Sequence, residues 1–292
     1  MMKVNGIALV QVLILTALLS IFALYISSSA KDQVQLATWS NERAEAELLI
    51  RSTYSELLFA LLTNERAKTS IDEGGTKITE RWNFFGHPFS VTSQIEVRLQ
   101  DLSGKIGLHF FERNRLESLL RYGGVSEDRI GLIIDRLLDW QDADNIARPQ
   151  GGEGINGVEV RDGYVTDLTD LEKLIDLTPA EKALLYENTT IYFNGSFNPL
   201  TASKSLLAAE TDETSAEQID ALRKERDVTP LEYRKITGKG VDTDVRLYPG
   251  PSVEFTITAK VGDARITKHF VVGTKRYSKG KLEPINIMYK EG

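Results

Sequence analysis

Residues 1–26 read MMKVNGIALVQVLILTALLSIFALYI. From Ile7 to Ile26 no side chain is charged, and only Gln11, Thr16 and Ser20 interrupt the apolar run. As an α-helix rising about 1.5 Å per residue, this stretch covers about 30 Å, the thickness of a bilayer's hydrocarbon core. Lys3 on the short leading side supplies a positive-inside signal, which puts Met1 in the cytoplasm and everything beyond Ile26 across the membrane. A competing reading is a secretory signal peptide cut after Ala30 in SSSA, leaving Lys31 as the mature start. Secretory apolar regions run about 7 to 15 residues, shorter than this one.

Working outward, no glycine or proline occurs between Ile7 and Glu73, so nothing in that span readily stops a helix. Beyond the apolar run, Ala46, Ile50, Tyr54, Leu57 and Leu61 recur at spacings of three and four, an amphipathic stripe. One helix, or nearly one, is predicted to pass from lipid into a soluble domain. After Gly74 and Gly75 the stretch TKITERWNFFGHPFSVTSQIEVRLQD reads as strands, with Phe89, Val91, Ile95, Val97 and Leu99 alternating with polar residues. A second β region lies near the C-terminus. There Val253, Phe255, Ile257, Ala259 and Val261 share one face, Gly262-Asp263 turns, a return strand follows, and INIMY (Ile285 to Tyr289) adds another.

Between the two β regions lie roughly 140 residues of helical character, and a helical block that splits a small antiparallel sheet is the pattern of an inserted domain. Its segments are LESLLRY, EDRIGLIIDRLLDW, LTDLEKLIDLTPAEKALLYE, TASKSLLAAE, SAEQIDALRKE and TPLEYRKI. In the third, Thr178 is predicted to cap the next helix, with Glu181 completing a capping box. The class is therefore α+β.

The formal charge of −7 argues against a nucleic-acid partner, because phosphate binding needs a basic stripe that this chain lacks. Much of the negative charge sits between Asp139 and Asp170, where eight acids meet two bases, Arg148 and Arg161. With no cysteine in the chain, disulfides, thiolate nucleophiles and Cys-ligated zinc are excluded.

The stretch DWQDADNIARPQGGEG, Asp139 to Gly154, crowds carboxylates around a Pro/Gly-rich turn. Ca2+ takes six to eight oxygen ligands, so a site needs several carboxylates on a segment that turns sharply. With Asp142 as position 1 of an EF-hand, Asp144 and Glu153 fall at positions 3 and 12, but Ile146, Ala147 and Pro149 break the pattern. A non-EF loop remains, in which Pro149, Gly151 and Gly152 fold Glu153 back onto Asp142 and Asp144. The alternative is a solvated acidic turn.

Glycosidase chemistry also needs paired carboxylates, a weak signal among 42 acids. His87, His109 and His269 lie outside any hydrolase elbow, and TGKGVDTD lacks phosphate-loop spacing. The helical pair LTDLEKLIDLTPAEKALLYE looks like helix-hairpin-helix or SAM-like units, but its turn Asp176-Leu177-Thr178 lacks the glycines that approach phosphate.

A short basic leader ending in Gly6, followed by this apolar helix, resembles the class III leader of type IV pilins and pseudopilins. The resemblance implies cleavage by prepilin peptidase between Gly6 and Ile7, with methylation of Ile7. Further along, DLSGKIGLHF from Asp101, LLDWQDADN with GGE, and FNPLTASKSLLAAE appear in the order of conserved motifs of one family. Together these segments resemble the minor pseudopilin K family of type II secretion systems, also called general secretion pathway protein K, along most of the chain.

That resemblance implies a pilin-like fold: a long N-terminal helix packed on a small antiparallel sheet, with a large all-α, SAM-like domain inserted in the sheet. The implied divisions are a leader at 1–6, a transmembrane part at 7–26, a first pilin-like part at 27–104, an all-α insert at 105–237 and C-terminal strands at 238–292. The implied role is structural, with no catalysis: a pseudopilus tip complex with minor pseudopilins of I and J type that initiates pseudopilus assembly and supports export of folded proteins. Further partners are the major pseudopilin, the inner-membrane assembly platform and prepilin peptidase. The implied location is the bacterial inner membrane, crossed once, with the C-terminal part in the periplasm. The family's structural Ca2+ maps onto Asp142, Asp144 and Glu153.

Two departures stand out. His109 and Phe110 replace the usual asparagine-rich end of the first motif, and Gly154 stands where many relatives carry a second acid, leaving one fewer ligand. Gln11, the fifth residue after the cut, replaces the glutamate of major pilins, and the K subunit is the one expected to lack that acid. The reading from a different class is a signal-anchored periplasmic hydrolase using carboxylates of the 139–170 region.

Overall fold

The computed structural model describes residues 5–68, 73–155, 158–159, 161–192, 195–240, 245–275 and 283–290. Residues 1–4 of the expected leader lie outside these. Helix α1 (Asn5–Thr63) is continuous. Its first half is bare: Leu9, Leu13, Phe22, Leu24 and Ile26 are each more than half exposed. Its second half carries the stripe foreseen in the sequence, with Ala46, Ile50, Leu57 and Leu61 buried and Tyr54 packed beside them.

The helix stops ten residues short of the glycine-free run. After Asn64 the chain is drawn towards the C-terminal strands and the helical block: Arg66 Nη2 donates to the Pro251 carbonyl at 3.3 Å, and the Lys68 amide to Asp227 Oδ2 at 3.1 Å. A second difference follows at once. The segment predicted as strand begins with a short helix, α2 (Lys77–Arg81), whose start is fixed by a capping box in which the Thr76 and Thr79 side chains each accept from the other's backbone amide.

Then come β1 (Phe89–Ser90) and β2 (Ile95–Asp101), and near the C-terminus β7 (Ser252–Val261), β8 (Ala264–Thr274) and β9 (Ile285–Lys290). They form one antiparallel sheet in the order β1-β2-β7-β8-β9. Strand alternation puts Val97, Leu99, Val253, Phe255, Ile257 and Ala259 on one face, where they meet α1 in a common core. At the far end of the β7–β8 turn, the Asp263 amide donates to Glu42 Oε2 at 3.1 Å and so hooks the hairpin to the helix.

Between β2 and β7 lie β3 (Ile106–Gly107), α3 (Arg113–Tyr122), α4 (Glu127–Gln141), β4 (Gly154–Ile155), β5 (Val158–Glu159), α5 (Asp170–Leu174), α6 (Pro179–Asn188), β6 (Thr189–Thr190), α7 (Lys204–Glu210), α8 (Glu213–Glu225) and α9 (Pro230–Thr237). Their core is separate from the sheet's: Leu108, Leu116, Leu119, Ile134, Leu137, Trp140, Leu171, Leu185 and Leu206 pack together, and a smaller cluster gathers Leu207, Ala216, Ile219 and Tyr233. Thr178 and Glu181 form the capping box expected at α6.

Sheet and helical block are joined through a buried polar hub. Asp101, fully buried at the end of β2, accepts from the Ser103 amide (3.0 Å), the Thr201 hydroxyl (3.0 Å), the Asn198 amide group (3.4 Å) and the Ser103 hydroxyl. The Asn198 amide returns a bond to the Ser103 carbonyl at 2.7 Å. DLSG and FNPLTA, far apart in sequence, are thus two halves of one junction. Gly104 makes it fit: a methyl group there would lie 2.4 Å from the Thr201 carbonyl carbon and oxygen.

Candidate functional site

The acidic loop is hung from α4, whose buried Ile130, Ile133, Ile134, Leu137 and Trp140 fix its end in the block's core. Asp139, one residue before Trp140, is fully buried. A buried carboxylate must be compensated by donors or charge, and Asp139 is. Its Oδ2 accepts from the backbone amides of Arg148 (3.1 Å) and Gly152 (2.8 Å), and the Arg148 guanidinium pairs with its other oxygen. Gly151 permits this approach, because a methyl group there would fall 1.8 Å from Asp139 Oδ2. The Asp144 side chain closes the first bend by accepting from the Ile146 amide at 2.8 Å, and the Gly151 amide donates to the Arg148 carbonyl at 3.0 Å.

The consequence is that chain leaving α4 folds back on itself. Asp142, Asp144 and Glu153 each present a carboxylate oxygen, and the three oxygens lie within 4.8 Å of one another. Asp142 Oδ1 and both oxygens of Glu153 are shielded from solvent and find no hydrogen-bond partner among the described residues. Burial first, and then the negative field of Asp139, Asp142, Asp144 and Asp162, push the Glu153 carboxyl above its ordinary range. Arg148 answers part of this charge: its Nη1 reaches Asp142 Oδ2 at 2.5 Å, and that bond is the first cause of a raised guanidinium pKa.

These residues fit a hard divalent cation. Oxygens on opposite sides of a Ca2+ ion stand about 4.6–5.2 Å apart, given Ca–O distances of about 2.3–2.6 Å. An all-oxygen set without nitrogen or sulfur suits Ca2+ or Mg2+ in preference to zinc or copper. The orphaned oxygens of Asp142 and Glu153 are the ones such an ion would satisfy, with backbone carbonyls or water completing the shell. Asp139 stands apart as the organiser of the loop. Arg148 is the participant that spacing did not single out; its only signal was a lone base among acids.

The histidines are engaged elsewhere. His109 Nε2 lies 2.8 Å from the Val165 carbonyl and its ring stacks on Tyr164, His269 Nε2 lies 3.0 Å from Glu254 Oε1, and His87 stacks on Phe85. No hydrogen bond of the loop among the described residues involves a histidine. At the other end of the molecule, Gly6 and Ile7 fall in the first turn of α1, with the Ile7 side chain outside the described residues. Among the described residues, one helix, Ala8–Thr63, is long and apolar enough to cross a membrane.

Comparison with known proteins covers nearly the whole chain. No family model matches the chain. It is 27% identical to the type II secretion system protein K of Pseudomonas aeruginosa, over 98% of this chain and 92% of that protein. Among solved structures it resembles a chain in the crystal structure of the GspK-GspI-GspJ complex from the enterotoxigenic Escherichia coli type 2 secretion system, with 14% identity and a TM-score of 0.52 over 90% of this chain and 98% of that one. The fold is therefore α+β and pilin-like, with a large helical block interrupting the sheet, and the chain resembles type II secretion protein K along nearly its whole length.

Proposed function

We propose that this chain is the K-type minor pseudopilin of a type II secretion system: a structural subunit that forms the pseudopilus tip with I- and J-type minor pseudopilins and so initiates assembly of the major pseudopilin on the inner-membrane platform. The observation that carries the reading is the two-part character of α1. Apolar side chains are exposed all round its first half, while one stripe of its second half is buried against the sheet. A helix apolar all round needs a lipid or protein surround, whereas the striped half already has its partner. The helical block adds a second argument, because so broad a body stacks poorly within a filament and fits best at its end.

In this reading prepilin peptidase cuts after Gly6 and Ile7 becomes the methylated N-terminus. The apolar half of α1, 7–26, lies in the bacterial inner membrane and the remainder in the periplasm, divided into 27–104, an insert at 105–237 and strands at 238–292. Asp142, Asp144 and Glu153 hold a structural Ca2+ that fixes the loop after α4. When bound, the ion supplies positive charge to carboxylates otherwise left against one another; the chain itself performs no chemistry.

Mass spectrometry of the membrane-extracted protein tests the first part. A mature N-terminus at Ile7 carrying one methyl group is expected. A start at Lys31 would overturn the pilin reading in favour of a protein released by signal peptidase. Co-purification of the chain with I- and J-type subunits from the same cell tests the tip complex.

A further inference from the structure

The loop after α4 contains a cation of its own, and its placement bears on how the loop takes up metal. This inference rests on the calcium reading above. We propose that Arg148 is a resident counter-ion of the site, holding the loop closed without metal and releasing Asp142 when a divalent cation binds.

Four carboxylates converge here, and Arg148 is the only base among their hydrogen-bonded partners in the described residues. Its two acidic partners differ in what they need from it. Asp139 also accepts from two backbone amides, of Arg148 and Gly152, so it keeps compensation when the guanidinium moves. Asp142 has no other donor among the described residues, since one oxygen takes the Arg148 Nη1 at 2.5 Å and the other is orphaned. Asp142 is also one of the three converging ligands. It is therefore the residue over which guanidinium and metal compete.

Electrostatics sets the direction of that competition. A divalent ion among Asp142, Asp144 and Glu153 stands about one carboxylate's width from a guanidinium touching Asp142, and like charges at that distance repel. Ca2+ further gains when a carboxylate offers both oxygens, which Asp142 does only once Arg148 has left Oδ2. The guanidinium has somewhere to go, because the Arg148 side chain is one-third exposed. The backbone amide of Arg148 stays on Asp139 whatever the side chain does, so the loop keeps its course during the exchange. Arg148 thus sets the metal concentration at which the site fills.

The test is a calcium titration of the full chain in nanodiscs, comparing wild type with Arg148→Ala and Arg148→Gln, by calorimetry and by melting in calcium and in chelator. Both variants are expected to bind calcium at least fivefold more tightly than wild type, and to melt below it in chelator but not in saturating calcium. If wild type responds to calcium and the variants bind it equally or less tightly, Arg148 positions Asp142 for the ion, and the proposal fails while the calcium site stands. If wild type itself shows no response, both fail. Should the alanine variant not fold, the glutamine variant, which keeps most of the side chain's length, carries the comparison.

Discussion

The Lys105 ammonium lies 3.0 Å from Glu254 Oε2, and so ties the first residue beyond the junction turn to the middle strand of the sheet. On its other oxygen Glu254 meets His269 Nε2 at 3.0 Å. Burial alone would raise the Glu254 carboxyl, but the His269 hydrogen bond and the Lys105 charge outweigh it and hold the group down at about 2.

A depressed carboxylate contributes stability above its unfolded value, 4.5, and loses it as pH falls through about 2. Glu254→Gln is therefore expected to lower stability at pH 7 by on the order of 2 kcal/mol. The deficit shrinks between about pH 4.5 and pH 2, and denaturant melts of wild type and variant across that window read it directly. A deficit that persists unchanged at pH 2 refutes the assignment.

Gly104 is the tightest point of the junction, with backbone where a side chain would be. Gly104→Ala forces the Asp101 hub apart and is expected to cost about 2 kcal/mol or more, since it both overpacks and unpairs a buried carboxylate. Limited proteolysis near residues 102–104 and 198–202 would report the opening, and wild-type resistance would argue that the contact relaxes freely.

Gly262, at φ +54°, sits where a methyl group would fall 2.1 Å from Glu42 Oε1. Gly262→Val combines left-handed strain with that clash, so it is expected to unhook the β7–β8 turn from α1. Amide exchange at Asp263 is expected to speed up at least tenfold, while β7 amides near Phe255 stay protected.

In the acidic loop, calcium is expected to raise the melting temperature of wild type and to leave that of Asp142→Ala with Glu153→Ala unmoved. Glu153→Gln removes a charge that its neighbours oppose, so in chelator it is expected to melt at or above wild type. A lower melting temperature in chelator would mean that the Glu153 charge is stabilising, against the field described.

The parts of the fold that announce themselves in the sequence are those with a clean period: the stripe from Ala46 to Leu61, the alternation from Phe255 to Val261, and the capped helix at Thr178. The two misreadings fall where specific hydrogen bonds, distant in one case and local in the other, override pattern. α1 ends at Thr63 although no breaker follows until Gly74, because Arg66 and Lys68 have partners elsewhere in the fold. Residues 77–81 turn into a helix because two threonines cap each other, a signal too short for periodicity. In the site, spacing left a folded-back loop and a solvated turn both open; the three acids that the resemblance singled out do converge. What the pattern did not disclose is that Arg148 bridges Asp139 and Asp142, which depends on how the folded-back loop packs.

Pairing of Asp101 with Val253 spans about 150 residues, which gives the sheet a high contact order. A folded block holds the ends of β2 and β7 close together, which shortens the gap that β7 must close. A chain cut short before Ser252 would keep much of its helical content yet leave the Ala46 to Leu61 stripe without its principal cover.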